Sequence, residues 1–294
     1  GLGKTIQIIS ILLDYKQNTE NQKTSIVVSP SSLSLNWKNE IEKFAPELKI
    51  KVIRGTALER KAEIEQLEKY DVIITSYDLL KRDIEVYKEK KYNFKYIIAD
   101  EAQYLKNNAT KNAKAIKILN AETRFALTGT PIENSLAELW SIFDLIMPGY
   151  LFSYKEFKSS YEMPIVKEQN HDAMEKLKML IEPFVLRRTK KEVLTELPDK
   201  IEQNIILPFN DEEEKLYVAN LAEANKELQE LYDLEGSDKM QILKLLTRLR
   251  QLCLEPRLVY DDIDQPSSKL KACMELIKTM QENKQKVLLF SSFT

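Results

Sequence analysis

Three short stretches carry residues whose types and spacing can act on phosphate. The first is GLGKT at residues 1–5. The glycines, Gly1 and Gly3 around Leu2, let backbone N–H groups curl about phosphate oxygens with no Cβ in the way. Lys4 can reach outer phosphates, and the Thr5 hydroxyl suits a magnesium ion. The following IQIISILLDY has the pattern of a helix whose N-terminus adds positive potential. The second stretch is YIIADEAQYLKN at 96–107, an apolar run that meets Asp100 and Glu101. One strand-end carboxylate can hold magnesium, usually through water, and another can orient an attacking water. Alternate residues leaving a strand point in different directions, so the two acids can divide these tasks. The third stretch, LTGTPIEN at 127–134, also ends an apolar run. Thr128 and Thr130, either side of Gly129, place hydroxyls on the same rim, within reach of Gln103. Taken singly, the second stretch reads as an acidic turn and the third as a helix opened by Thr130-Pro131. Together with GLGKT they read as one nucleotide site.

The elements that must position these residues come from the apolar pattern. Up to about residue 146, five short runs alternate with amphipathic stretches: SIVVS (25–29), KVIR (51–54), DVIIT (71–75), YIIAD (96–100) and RFALT (124–128). Their unbroken apolar cores suit parallel strands covered on both faces. Between them lie apolar residues at helical spacing, such as Leu33, Trp37, Ile41 and Phe44. Strand and helix alternating in this way predict a doubly wound α/β domain, with ligands at the carboxyl ends of its strands. Past Pro148-Gly149 the text becomes helical, with one extended stretch at 201–209. Asn210 and Glu213 are spaced as a capping box for a helix with a seam of Tyr217, Leu221, Ala224, Leu228 and Leu231. Gly236-Ser237 breaks it, and a second helix runs through Ile242, Leu246, Leu249 and Cys253 to form a helical hairpin. A last helix from 268 leads into KVLLF (286–290), read as a strand that opens another α/β unit. The expected division is therefore 1–150, 151–265 and 266–294.

Composition narrows the chemistry. The chain has 294 residues, 43% hydrophobic and 31% charged, which describes an ordered globular protein with room for two domains. No run approaches the roughly 18 apolar residues of a membrane span. Two cysteines, Cys253 and Cys273, and one histidine, His171, exclude a disulfide framework or a Cys/His zinc cluster. His171 lies in the polar stretch KEQNHDAMEK and reads as a surface residue. A formal charge of −2 gives no basic footprint, so any contact with nucleic acid must be local. The opening residue is Gly1 and no signal peptide is seen, so the sequence is expected to be a piece of a longer cytosolic protein.

These elements in this order resemble the Swi/Snf family of DNA-dependent ATPases, in helicase superfamily two. The resemblance covers nearly the whole chain. GLGKT is similar to the end of motif I, IVVSPSSLSLNWKNEIEKF (26–44) to motif Ia and its helix, and DEAQYLKN to motif II. DVIITSYDLLKRD (71–83) resembles the segment preceding motif II. LTGTPIENSLAELWSIFDLIMPGYL (127–151) is a specific match, since DEAD-box RNA helicases carry Ser-Ala-Thr at this place. PFVLRRTKKEVLTELPDK (183–200) and SSKL…KVLLFSSFT resemble the helical insertion and the start of a second RecA-like lobe. The departure is Gln103, where many relatives have His; an amide still donates and accepts, but it does not titrate.

The resemblance implies a RecA-like P-loop lobe, an appended mainly helical insertion, and a motor that tracks along duplex DNA while hydrolysing ATP, without separating strands. Lys4 and the loop 1–5 would take phosphate, Thr5 and Asp100 magnesium, and Glu101 would polarise water. Gln103, Thr128, Gly129 and Thr130 would couple the site to DNA. Pro30, Ser31, Thr75, Ser76 and Tyr77 match positions where the family touches the DNA backbone. Arg187, Arg188, Lys190 and Lys191 form the one dense basic cluster, to meet phosphate or to hold the insertion against the first lobe. The expected partners are duplex DNA and DNA-bound proteins or transcription complexes, with no membrane, in a bacterial cytosol. The rival readings are an RNA-directed helicase of the same superfamily, an ATP-gated interaction switch and, more distantly, a metabolite kinase or GTPase.

Overall fold

The computed structural model describes residues 2–105, 110–129, 135–193, 196, 200–233 and 239–293, without the side chains of 190, 191, 230–233 and 239. The chain forms two compact units, Gly1–Leu197 and Pro198–Thr294. The first opens with helix α1 (Lys4–Asn18) and alternates β1 (Ser25–Ser29), α2 (Ser34–Phe44), β2 (Ile50–Val52), α3 (Ala57–Ile64), β3 (Val72–Ser76), α4 (Tyr77–Lys90), β4 (Asn93–Ala99), α5 (Lys111–Ile118) and β5 (Asn120–Ala126). All strand pairs are parallel, in the order β2-β3-β1-β4-β5. Every residue of β1 and of β3 is buried, which is why these runs are apolar without alternation.

The pleat still sorts the side chains. Ile26, Val28, Ile73 and Ile97 face one layer, with Leu80 of α4 and Ile116 of α5. Val27, Val72, Ile74 and Ile98 face the other, with Ile8, Ile9 and Leu12 of α1 and Trp37 and Ile41 of α2. The doubly wound architecture expected from the sequence is present. Register pairs Ser29 with Ser76, Val28 with Ala99, and Ala99 with Ala126. The residues that follow β1, β3, β4 and β5 therefore emerge side by side on one rim.

The first unit continues through α6 (Leu136–Ile146), α7 (Tyr154–Phe157), α8 (Met163–Glu168), α9 (His171–Ile181) and α10 (Lys190–Val193). Leu139, Trp140, Phe143, Leu151, Phe157 and Leu177 form a separate small core there. Arg124 ties β5 to its neighbours by donating to Leu145 O (3.0 Å) and Leu119 O (2.7 Å).

The second unit contains α11 (Asp211–Asp233), α12 (Lys239–Leu254) and α13 (Ser268–Glu282). The capping box is made: Glu213 N donates to Asn210 Oδ1 at 2.8 Å, and Asn210 N to Glu213 Oε2 at 3.0 Å. α11 and α12 pack together as the expected hairpin. The buried face of α12 is turned by one residue from the expected seam: Leu245 and Leu252 are buried, while Leu246 is 51% exposed. Two apolar stripes run side by side along this helix, and packing selects the neighbour of the one the spacing favoured. The break at Gly236-Ser237 lies outside the described residues. KVLLF, expected as a strand, is irregular, with Leu288 and Phe290 exposed. A strand needs a ladder partner, and 286–290 has none among the described residues.

Candidate active site

The phosphate loop meets α1 at Gly3, whose φ of +84° is the left-handed conformation that glycine adopts without strain. A Cβ there would meet Ile6 Cγ2 at an ordinary 3.5 Å, so the backbone angle sets the need for glycine, not the space. No side chain caps α1 and no acid lies in its first turn. Its first N–H groups are left for an anion, with the helix dipole behind them. Lys4 and Thr5 stand in that turn, half-buried.

Across the rim, Asp100 leaves β4 with only 8% of its surface exposed. Each carboxylate oxygen receives one fixed donor. Glu101 N donates to Oδ1 at 2.9 Å, and the Trp37 indole Nε1 donates to Oδ2 at 2.8 Å. Burial pushes the Asp100 carboxyl above its ordinary value; the Trp37 and Glu101 donors and the nearby Lys4 cation oppose that rise. Glu101 follows with φ +50°, unusual outside glycine, and this turn carries Ala102 N onto Leu127 O at 2.8 Å. A left-handed non-glycine held in place by its surroundings is a feature often found at functional sites. Gln103 then sits between two partners. Its Nε2 donates to Glu101 Oε2 at 2.5 Å, and its Oε1 accepts from the Thr128 hydroxyl at 3.0 Å.

The structure thus joins Asp100, Glu101, Gln103 and Thr128 in one array. Gly129 follows them on the rim, exposed. Gly1, Thr130 and the Lys190 and Lys191 side chains lie outside the described residues. Ser31 is exposed and Pro30 half-buried at the turn after β1. Thr75, Ser76 and Tyr77, matched by resemblance to DNA contacts, point inward at 1%, 4% and 3% exposure. Ser76 caps α4 by accepting from Leu79 N, and the Tyr77 hydroxyl donates to Asp100 O at 2.8 Å. Among the described residues the buried Thr75 hydroxyl finds no hydrogen-bond partner. These three side chains are buried beneath the rim, where Ser76 and Tyr77 support α4 and Asp100. Arg187 and Arg188 are exposed. In the orientation its surroundings require, the Gln7 amide oxygen on α1 accepts from Arg188 Nη2 at 2.9 Å.

Sequence reasoning missed two supports of Asp100. Trp37 reads as one more apolar residue at helical spacing, and Tyr77 as a surface contact. The signal available was that a buried indole or phenol must find a hydrogen-bond partner. Burial pushes the Tyr77 phenol far above its ordinary value, so it stays a donor.

Magnesium fits this donor set. Among the described residues no cluster of three or more His, Cys, Asp or Glu could hold a metal alone. A nucleotide's magnesium needs only one or two protein oxygens beside the phosphates, and the Thr5 hydroxyl and Asp100 carboxylate are hard oxygen donors of that kind.

A parallel doubly wound sheet, a glycine-turned loop feeding an uncapped helix, and strand-end carboxylates on one rim define a RecA-like nucleotide-binding lobe. The SNF2-related domain family matches residues 1–258, and the chain belongs to that family. It is 40% identical over 296 residues to an uncharacterized ATP-dependent helicase, MG018, of Mycoplasma genitalium, covering 100% of this chain and 27% of that protein. It is 36% identical over 285 residues to the TATA-binding protein-associated factor MOT1 of Saccharomyces cerevisiae, covering 88% of this chain and 15% of that protein. Among solved structures, the Sulfolobus solfataricus SWI2/SNF2 ATPase core in complex with dsDNA is similar, with TM-score 0.61 and 39% identity. That match covers 100% of this chain and 61% of the other. The chain therefore spans about a quarter or less of the curated relatives named.

Proposed function

We propose that this chain is the ATP-hydrolysing part of a DNA-dependent ATPase that moves along duplex DNA and displaces bound proteins without separating strands. The observation that carries the reading is the array Asp100–Glu101–Gln103–Thr128, on the rim that the uncapped N-terminus of α1 also serves. Backbone N–H groups at residues 2–5 and the Lys4 ammonium take the phosphates. Thr5 and Asp100 would hold magnesium, which when bound neutralises charge developing on phosphate oxygens. Glu101 orients the attacking water through Oε1, because Gln103 holds Oε2. Gln103 and Thr128 pass the state of that carboxylate along the rim to Gly129 and Thr130.

Duplex DNA is supported by the dsDNA complex of the Sulfolobus core. Displacement of bound proteins is supported by MOT1, whose name ties it to TATA-binding protein. DNA contact falls to Pro30 and Ser31 and to Arg187. Contact through backbone and hydroxyl groups carries no sequence preference, as a motor requires. The division at about 150 and 265 into first lobe, helical insertion and start of a second lobe belongs to the same proposal, as does action in a bacterial cytosol. Among the described residues no helix is long and apolar enough to cross a membrane.

The test is Glu101→Gln in the complete protein, assayed with duplex DNA and with single-stranded RNA. Turnover is expected to fall by roughly 10²-fold or more, with ATP binding retained. Unchanged turnover would refute hydrolysis at this site. Stimulation of the unmodified protein by RNA and not by duplex DNA would move it to the RNA-directed helicases.

A further inference from the structure

Helix α2 needs an apolar residue at 37 to complete its packing against Ile8, Ile9 and Leu12 of α1. Leucine or phenylalanine would serve for that alone. Trp37 is 1% exposed and brings with it an N–H that must be satisfied. Its acceptor is Asp100 Oδ2, at 2.8 Å. The only other donor to this carboxylate among the hydrogen bonds described is the neighbouring backbone N–H of Glu101, on Oδ1 at 2.9 Å. The terminal torsion of an aspartate is otherwise broad, so one bond per oxygen, from two different elements, pins the plane of the group. Each oxygen keeps lone-pair capacity for a further ligand. The Asp100 backbone is held in the same way, with N donating to Val28 O at 2.8 Å and O accepting from the Tyr77 hydroxyl. Among the described residues Trp37 thus supplies the one side-chain donor that fixes the carboxylate's direction.

We propose that Trp37 is the positioning residue for Asp100: its indole N–H holds the carboxylate in the orientation that receives magnesium bound with nucleotide. The inference rests on the nucleotide-site reading above. It places the support on α2, which begins at Ser34, directly after the exposed Ser31 turn. The metal carboxylate is therefore oriented by the helix that follows the segment assigned to DNA.

The experiment replaces Trp37 in the complete protein with β-(3-benzothienyl)alanine, which keeps the bicyclic shape and puts sulfur in place of the N–H. Trp37→Phe is the second variant. Binding of fluorescently labelled ADP is measured without metal and across a magnesium titration, alongside kcat, KM and thermal unfolding. Metal-free ADP affinity is expected to stay within about twofold, because Lys4 and the loop are untouched. The magnesium concentration giving half of the metal-dependent tightening is expected to rise roughly 10–100-fold, the usual effect of losing a ligand's outer support. kcat at fixed magnesium should fall more than KM changes. A packing role alone would lower the unfolding temperature of Trp37→Phe and leave the magnesium midpoint of the isosteric variant in place; that result overturns the proposal. If the unmodified protein shows no magnesium-dependent tightening, the site reading itself fails. Should Trp37→Phe not fold, the isosteric variant still decides the matter.

Discussion

At the scale of single residues, Gln103 makes the sharpest claim. One amide satisfies both Glu101 and Thr128, giving its N–H to the first and its carbonyl to the second. Gln103→Ala is expected to leave ATP binding within about twofold while DNA stimulation of turnover falls roughly tenfold, the weight of one charge-assisted hydrogen bond. Equal stimulation in both proteins would reduce Gln103 to a turn residue. Gln103→His tests the same bond differently. A neutral imidazole donates to Glu101 and accepts from Thr128, but protonation removes the acceptor. Stimulation in that variant should therefore fade as pH drops through about 6.5, where an ordinary histidine titrates, and the unmodified protein should show no such step. The roles proposed for Lys4, Asp100 and Glu101 come from the sequence, where glycine-lysine-threonine and paired acids at strand and helix ends are read together as one nucleotide site. The role proposed for Trp37 was not legible there, because apolar spacing already explained the residue; it depends on which acceptor the fold places beside the indole.

At the scale of elements, two ion-rich contacts hold helices in place. Arg60 on α3 is bidentate to Asp83 on α4, with Nε to Oδ2 at 2.7 Å and Nη2 to Oδ1 at 2.8 Å. Both side chains are about 8–9% exposed, and Arg60 also donates to Gly55 O. Asp83→Ala should cost about 3–5 kcal/mol in urea unfolding, because it leaves a buried cation unpaired. The double change Arg60→Met with Asp83→Leu should recover most of that loss. Glu213 works at two helix starts, capping α11 and accepting from Ser268 N (2.6 Å) and Oγ (2.8 Å) at the start of α13. Partial burial pushes its carboxyl up, but the Ser268 and Asn210 donors outweigh that and hold it below its ordinary value. A carboxyl depressed on folding stabilises above its unfolded pKa, and that contribution is lost as pH falls through the folded one. The stability gap between the unmodified protein and Glu213→Gln should thus be constant near neutrality and close below about pH 4.5. A gap unchanged at pH 3 would show that the charge is not what links the two helices. These partners lie 23 and 55 positions apart, beyond any local pattern. The strands show the same limit. SIVVS became β1 residue for residue because burial on both faces dictates it, whereas IKV and KVLLF look alike in sequence. Among the described residues only the former lies beside another strand, β3, and only it is a strand.

At the scale of the whole molecule, a net charge of −2 must be reconciled with the proposed track, a highly charged polymer. Little general attraction is available, so affinity should depend on a few placed contacts. The basic cluster divides by geometry. Arg188 is engaged with Gln7 on α1, as a brace between the segment after α9 and the nucleotide-binding helix. Arg187 is exposed and makes no hydrogen bond among the described residues, though its charge helps to lower the Glu192 carboxyl, and it is the one proposed to meet phosphate. Cations that neutralise phosphates release counterions, so each steepens the dependence of log affinity on log salt by about 0.9; hydroxyl and N–H contacts do not. Arg187→Ala in the complete protein should therefore flatten that slope by about 0.9. Ser31→Ala should weaken binding at every salt concentration with the slope kept. Arg188→Ala should leave the slope alone and lower the unfolding temperature of the ATP-binding unit. If Arg188→Ala flattens the slope and Arg187→Ala does not, the assignments are reversed. If neither does, this cluster binds the protein to itself and the duplex is held elsewhere. The 294-residue chain alone should hydrolyse ATP roughly 10³-fold more slowly than the complete protein: by the family resemblance it holds only the start of a second lobe, and a transition-state arginine supplied from elsewhere is typically worth about 10³–10⁵ in rate. Equal DNA-stimulated turnover by the two would show that this lobe contains every group the reaction needs.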